Sequence, residues 1–140
     1  MDTARYIVEQ LMLKNDPFSK FLGMELLEIR PGHCKLSLVV TEVMLNGFRI
    51  AHGGILFSLA DSAMAFAANA GGYISYSKTC TLQFKRKVQL GDVVIAHAKC
   101  IKSDDPVSTY EVHIAVDEGT LLAIFSGEVH TTNKRFEILG

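Results

Sequence analysis

The sequence predicts an α+β fold: one antiparallel sheet wrapped around a central apolar helix, with an N-terminal helix covering the outside. Three observations carry that expectation. Strand-like runs along the chain are joined by short turns, and such runs pair antiparallel because a parallel crossover needs a dozen or more residues. The segment Gly53–Asn69 reads as a helix that is apolar nearly all the way round, through Ile55, Leu56, Phe57, Leu59, Ala60, Ala63, Met64, Phe66 and Ala67, so it must be surrounded rather than laid on a surface. The 140 residues, 49% of them hydrophobic, suffice for a single domain over 1–140 with a real core and no second lobe.

Taken in order, Ala4, Ile7, Val8, Leu11 and Met12 recur with the period of a helix that lays one stripe on something, with Thr3 as its cap and Asp16-Pro17 closing it. A short turn over 18–23 leads to two strands, Met24–Arg30 and His33–Glu42, which flank Pro31-Gly32 and read as a hairpin. Residues 43–52 read as a loop containing Asn46-Gly47, and the central helix that follows is ended by Gly71-Gly72. Four further strands are expected at Ser75–Arg86, Asp92–Lys102, Ser108–Val116 and Leu121–Thr132, with turns at Leu90-Gly91-Asp92, Asp104-Asp105-Pro106 and Glu118-Gly119. The flank of the central helix that one sheet leaves uncovered calls for a second copy of the chain. A homo-oligomer is therefore expected, either a dimer or a homotetramer built as a dimer of dimers.

Fourteen Lys and Arg against fifteen Asp and Glu leave a net charge of −1, too weak a field to steer the protein onto DNA or an acidic membrane. Neither nucleic acid nor membrane is an expected partner. The stretch over 53–77 is long enough to cross a bilayer, but it holds Asp61, Asn69, several serines and paired glycines at both ends, so it reads as buried in protein. No signal segment is evident at the N-terminus, and a cytoplasmic location is expected. Cys34, Cys80 and Cys100 are widely spaced in apolar or alternating contexts and read as free, buried thiols. His33, His97, His113 and His130 lack metal-ligand spacing, and neither G-x-S-x-G nor G-x-G-x-x-G occurs, so metal, serine-nucleophile and dinucleotide chemistry lack their signatures.

Asp61 is the one charged residue between His52 and Lys78, two turns into an otherwise apolar helix. It has two readings: a carboxylate satisfied by Ser58, Ser62 or an arginine from a loop, or a base in an apolar pocket, where desolvation favours proton abstraction near neutral pH. At the start of the same helix stands Ala51-His52-Gly53-Gly54. A helix N-terminus exposes backbone N–H groups with partial positive charge, and glycine lets another molecule come close enough to place a carbonyl oxygen there; close packing and a sharp turn are the alternative use of such a pair. Eight residues at about 1.5 Å each put Asp61 about 12 Å along the axis from Gly53, whereas a reacting carbon must lie about 3 Å from both its base or nucleophile and its oxyanion donor. If the two cooperate, the Gly53 N–H of one subunit faces Asp61 of another, and the site lies at a subunit interface.

The frame Met44-Leu45-Asn46-Gly47 through Ala51-His52-Gly53-Gly54 to Leu59-Ala60-Asp61-Ser62-Ala63 resembles the hotdog-fold acyl-CoA thioesterases of the phenylacetate-degradation (PaaI) type, over residues 17–132, and the element order matches. The resemblance implies a hotdog fold and hydrolysis of an aryl- or medium-chain acyl-CoA to the free acid and CoA. Asp61 would be the nucleophile or the general base that activates water, and the Gly53 N–H would polarise the thioester carbonyl beside Gly54. Asn46 or His52 would assist near the leaving sulfur or by shaping the loop. A strand hydroxyl, Ser77 or Thr79, would stand beside the attacking water, and Lys85 and Arg86, with Lys87, would meet the phosphates of coenzyme A. No cofactor or metal is implied, since CoA belongs to the substrate. Pocket walls are expected from Phe48, Ile50, Met64, Phe66 and Tyr73. The rival readings are a non-catalytic acyl-CoA or fatty-ligand binder on the same fold, for which the lone acid has little use, and a hotdog dehydratase or hydratase, whose loop context differs from Ala51-His52-Gly53-Gly54.

Overall fold

The N-terminal segment is helical from Thr3 to Asn15, though not with one geometry. In the computed structural model, which describes residues 2–116 and 119–137, helix α1 (Thr3–Tyr6) widens into a π-helical stretch at Ile7–Met12 and tightens to a 3₁₀ turn at Leu13–Asn15. Asp2 caps it, accepting the Arg5 N–H, in place of the expected Thr3. Ala4, Ile7 and Val8 are buried, as their spacing implies. Asp16-Pro17 opens a helix as well as closing one: Asp16 accepts the Ser19 N–H and Pro17 is the first residue of α2 (Pro17–Phe21), where a turn was expected. An Asp-Pro pair stops a preceding helix and supplies N-cap and first residue to a following one with equal ease.

Strands β1 (Glu25–Arg30) and β2 (His33–Val39) form the expected hairpin around Gly32, which sits at φ +77, in the left-handed region. β2 ends before Glu42 because Thr41 starts a 3₁₀ turn over Glu42–Met44. The central helix α3 (Gly53–Asn69) is followed by β3 (Tyr73–Phe84), β4 (Val93–Asp104), β5 (Val107–Val116) and β6 (Leu121–Arg135). The six strands make one antiparallel sheet in the order β1-β2-β4-β5-β6-β3. Of the expected Glu118-Gly119 turn, Glu118 lies outside the described residues.

The sheet curls around α3. Leu36 and Leu38 of β2, Val94 and Ala96 of β4, Val112 and Ile114 of β5 and Phe125 of β6 are buried with Leu59, Ala60, Ala63, Met64 and Ala67 of the helix. Burying each large apolar side chain contributes about 1.5–3 kcal/mol, and the alanines let backbone and sheet come close. Gly127 of β6 serves the same end, since a Cβ there would lie 2.5 Å from the Met64 sulfur. At the far end of α3 the buried Asn69 donates to the Ala65 and Ser75 carbonyls and accepts the Ser75 N–H, tying helix to β3. This is the hotdog arrangement that the resemblance implied.

The helix is surrounded on one side only. Phe57, Asp61, Ala65 and Ala68, spaced i, i+4, i+8 and i+11, stay partly exposed along a flank beside the edge strand β3. Among the cysteines, all free, Cys34 alone is fully buried, and burial pushes its thiol up to about 12; Cys80 and Cys100 are half-buried. No helix among the described residues is long and apolar enough to cross a membrane.

Candidate active site

The loop ahead of α3 is pinned at several points. Asn46 Oδ1 accepts the N–H of Phe48 at 2.9 Å and of Ile50 at 3.4 Å, and the Asn46 N–H donates to the Ile50 carbonyl. Ala51 N–H donates to the Val88 carbonyl and His52 N–H to the Met44 carbonyl. His52 is the N-cap of α3: its Nδ1 accepts the Gly54 N–H at 3.0 Å, while the Ile55 N–H goes to the His52 carbonyl. The Gly53 N–H is left with no acceptor among the described residues. It carries the partial positive charge of a 17-residue helix and faces outward from its start. Because Nδ1 is an acceptor, the neutral His52 ring holds its proton on Nε2, and Asn46, with Oδ1 engaged, has its NH₂ to offer.

The two glycines have different tasks. A Cβ at Gly53 would stand 2.9 Å from the Phe84 ring, whereas at Gly54 it would meet His52 Nδ1 at 3.2 Å. Gly54 was expected to meet substrate, but its N–H is committed to His52; it serves by making room for that cap. A cleft of about 420 Å³ opens at Gly53, walled by Asn46, Ile50, Leu56 and Phe84. Lys85, Arg86 and Lys87 line it too. They lie beyond the end of β3, which stops at Phe84 rather than Arg86 because the Lys85 and Arg86 N–H groups turn together onto the Leu122 carbonyl.

Asp61 lies elsewhere, half-exposed on the uncovered flank of α3. Of the partners the sequence offered, Ser58 donates to the Gly54 carbonyl and Ser62 pairs with Ser19, and no described cation forms an ion pair with Asp61. Among the described residues its one side-chain partner is Ser77, whose hydroxyl donates to Oδ1 at 3.0 Å. Thr79 turns away and donates to Glu128 at 2.8 Å. A register shift between Ser77 and Thr79 separates these two hydroxyls, which plain alternation would put on the same face. Ser77 pairs with the buried Val129 and Cys80 with Gly127, both turned to the helix. Cys80 therefore also neighbours Asp61, and burial followed by the Asp61 charge pushes its thiol pKa upward, keeping it protonated.

Two groups of expected residues thus assemble separately: Asn46, His52, Gly53 and the basic run at the start of α3, and Asp61 with Ser77 on its flank. Among the expected pocket walls, Ile50 lines the cleft, Met64 and Phe66 are core, and Phe48 and Tyr73 are exposed. Sequence reading passed over Phe84 and Cys80, whose positions depend on the β3–β6 register, although the run Cys80, Leu82, Phe84 carried the alternation that places them. Together the groups offer a fixed N–H for a developing oxyanion and a carboxylate with an attached hydroxyl. No cluster able to hold a metal occurs among the described residues.

Residues 48–123 match the family model described as the thioesterase superfamily. The acyl-coenzyme A thioesterase PaaI of Escherichia coli (strain K12) is 34% identical over 119 residues, covering 85% of either chain. The solved E. coli PaaI protein from the phenylacetic acid degradation operon superposes with a TM-score of 0.91 at 30% identity, over 97% of this chain and 99% of that one. A mutant of the phenylacetic acid degradation protein PaaI from Thermus thermophilus superposes with a TM-score of 0.80 at 33% identity, over 84% and 100% of the two chains.

Proposed function

The chain belongs to the hotdog-fold thioesterase superfamily, in its PaaI-like family, and on that premise we propose that it hydrolyses aryl- or medium-chain acyl-CoA to the free acid and CoA at an interface between two copies of itself. The observation that carries this reading is the unoccupied Gly53 N–H beside the cleft with its basic residues. Hydrolysis of a thioester passes through a tetrahedral oxyanion, and one fixed N–H donor meeting that charge lowers the barrier by roughly 3–4 kcal/mol.

In this mechanism the thioester oxygen accepts from Gly53 of one protomer while Asp61 of the other attacks the carbonyl carbon or takes a proton from the water that does. In the water route the C–O bond forms to water, whose proton passes by way of Asp61 to the thiolate that departs as the C–S bond breaks; in the direct route the C–O bond forms to Asp61, the thiolate departs, and water then cleaves the mixed anhydride to release the acid and restore the carboxylate. Ser77, held on Asp61, orients the attacking group; His52 Nε2–H and the Asn46 NH₂ are the donors near the sulfur. Lys85 and Arg86 would meet the CoA phosphates. The two-protomer arrangement is supported by the helix geometry, which separates Gly53 from Asp61 within one chain, and by the edge of the sheet. β3 spans twelve residues, has β6 as its one strand neighbour among the described residues, and borders the flank that carries Asp61. A long open edge of that kind is a template for pairing with a second copy. The test is thiol release from a panel of aryl- and straight-chain acyl-CoAs: wild type should turn over members of the panel and Asp61→Ala should not. Equal inactivity of both proteins across the panel would refute the proposal.

A further inference from the structure

Of the four residues along the uncovered flank of α3, Phe57 is the one large apolar side chain, 39% exposed and four residues from both Gly53 and Asp61. Its ring stands edge to face against the buried Phe125, centroids 5.4 Å apart at 71°, so it projects from the helix at a fixed angle. A helix advances about 1.5 Å and turns about 100° per residue. Gly53, Phe57 and Asp61 therefore follow one another at steps of about 6 Å along the axis and about 40° around it, with Phe57 at the centre of the face they define. The edge strand marks the same centre. Ser77 of β3 is bonded to Asp61 and Phe84 of β3 lies against Gly53, and the point halfway between them in the strand falls at Cys80 and Thr81.

In a two-fold assembly both copies use the same patch: where residue i of one meets residue j of the other, j also meets i. The reading that sets Gly53 of one protomer with the partner's Asp61 therefore also sets Asp61 of the first with the partner's Gly53. The two α3 helices then run antiparallel, and the residue halfway between these two meets its own copy. We propose that the Phe57 rings of two copies meet on the two-fold axis, with β3 paired to its own copy about Cys80 and Thr81, and that this self-contact sets the gap between Gly53 and the partner's Asp61. The inference rests on the two-protomer reading of the site. Phe57 is then a positioning residue: two pinned rings on the axis fix how closely the helices approach, and hence the space left for a thioester. Phenylalanine suits a self-contact, since a ring packs on its like, whereas a charge would face itself. The open edge strand agrees, because a strand that pairs with its own copy does so about one point.

Opposite charges test a self-contact directly. Phe57→Arg and Phe57→Asp each set a like charge against itself on the axis. Each variant alone should lose at least about a hundredfold in dimer affinity, sediment as a monomer and turn over little acyl-CoA. Mixed in equal amounts, the two should sediment as a dimer and recover most of the wild-type turnover, because opposite charges then meet. Variants that stay dimeric and active alone, or that stay monomeric when mixed, would overturn the self-contact. Melting curves check that each variant folds, and a milder change gives the same reading without a charge. It is made in a Cys80→Ser background, because that thiol also lies near the axis. There Phe57→Cys should be joined into a covalent dimer by a short bis-maleimide, while Ala65→Cys, whose two thiols lie about 24 Å apart along the helices, should not. Cross-linking at position 65, or none at position 57, would overturn the register. Neither assembly readout uses substrate, so a dimer that forms as stated but hydrolyses no thioester would overturn the hydrolysis and leave the axis standing.

Discussion

On the face of the sheet turned away from α3, Glu28, His33 and His97 satisfy one another, while on the open flank and N-terminus of α3 the polar groups stay available. His33 Nε2 donates to Glu28 at 3.0 Å, and His33 Nδ1 shares a proton with His97 Nε2 at 3.2 Å, joining β1, β2 and β4. His113 pairs with Glu111 in the same way. At the other site Asp61 has a single hydroxyl partner and the Gly53 N–H has none among the described residues. Both regions concentrate titratable or polar groups near the core. Where each group's hydrogen-bonding capacity is met inside the chain, the cluster is architecture; where capacity is left over beside a cleft or an uncovered flank, it is open to a ligand or a second copy.

Substitutions sharpen this contrast, beginning with the largest effect. Asp61→Ala should lower kcat/KM for acyl-CoA by about 10³-fold, in the range for loss of a general base, with little change in melting temperature, because the Asp61 side chain has one hydrogen bond among the described residues. Asn69→Ala should do the reverse. It strands the buried Ser75 N–H and carbonyl, and should cost about 2–3 kcal/mol in urea unfolding, while leaving KM near wild type. Ser77→Ala should reduce kcat by about tenfold, as expected for a lost hydrogen bond to a charged group worth roughly 1.5 kcal/mol, whereas Thr79→Ala should leave kcat unchanged; equal effects would contradict the bulge as the element that chooses between them.

The smallest effect belongs to the satisfied cluster. Burial, then the neighbouring His33, Lys99 and Lys35, lowers His97 from 6.5 to about 4. The unfolded chain therefore binds a proton that the folded chain refuses between those values, so the stability His97 contributes is complete above about pH 6.5 and drains away as pH falls toward 4. Glu28, lowered by its hydrogen bond from His33, adds loss in the same direction at the acid end. Urea midpoints measured from pH 7.5 to 4 should fall, and His97→Gln should flatten that slope. An unchanged slope would contradict the assignment.

Much of this was legible in the chain. Apolar residues all round Gly53–Asn69 announce a central helix, and their spacing sets Gly53 at its start and Asp61 two turns on, where the structure has them. What escaped were consequences of register and of dual-purpose signals. The β-bulge between Ser77 and Thr79 decides which hydroxyl meets Asp61, and period-two alternation cannot reveal an extra residue. Asp16-Pro17 signals a stop and is equally a start, capping and opening α2. Gly53 and Gly54 read as one pair, yet the His52 ring spends one N–H and spares the other, a distinction that requires the cap geometry.

The central claim is that Gly53 of one protomer works with Asp61 of its partner, and subunit complementation tests it most directly. Gly53→Pro deletes the N–H while suiting the first position of a helix, the exposed Phe84 ring turning aside to admit it, and Asp61→Ala deletes the acid. Each variant alone should be nearly inactive, and unfolding and refolding the two together in equal amounts should restore about a quarter of wild-type activity, because half the dimers are mixed and each mixed dimer has one intact site of two. A mixture no more active than its parents would contradict the claim.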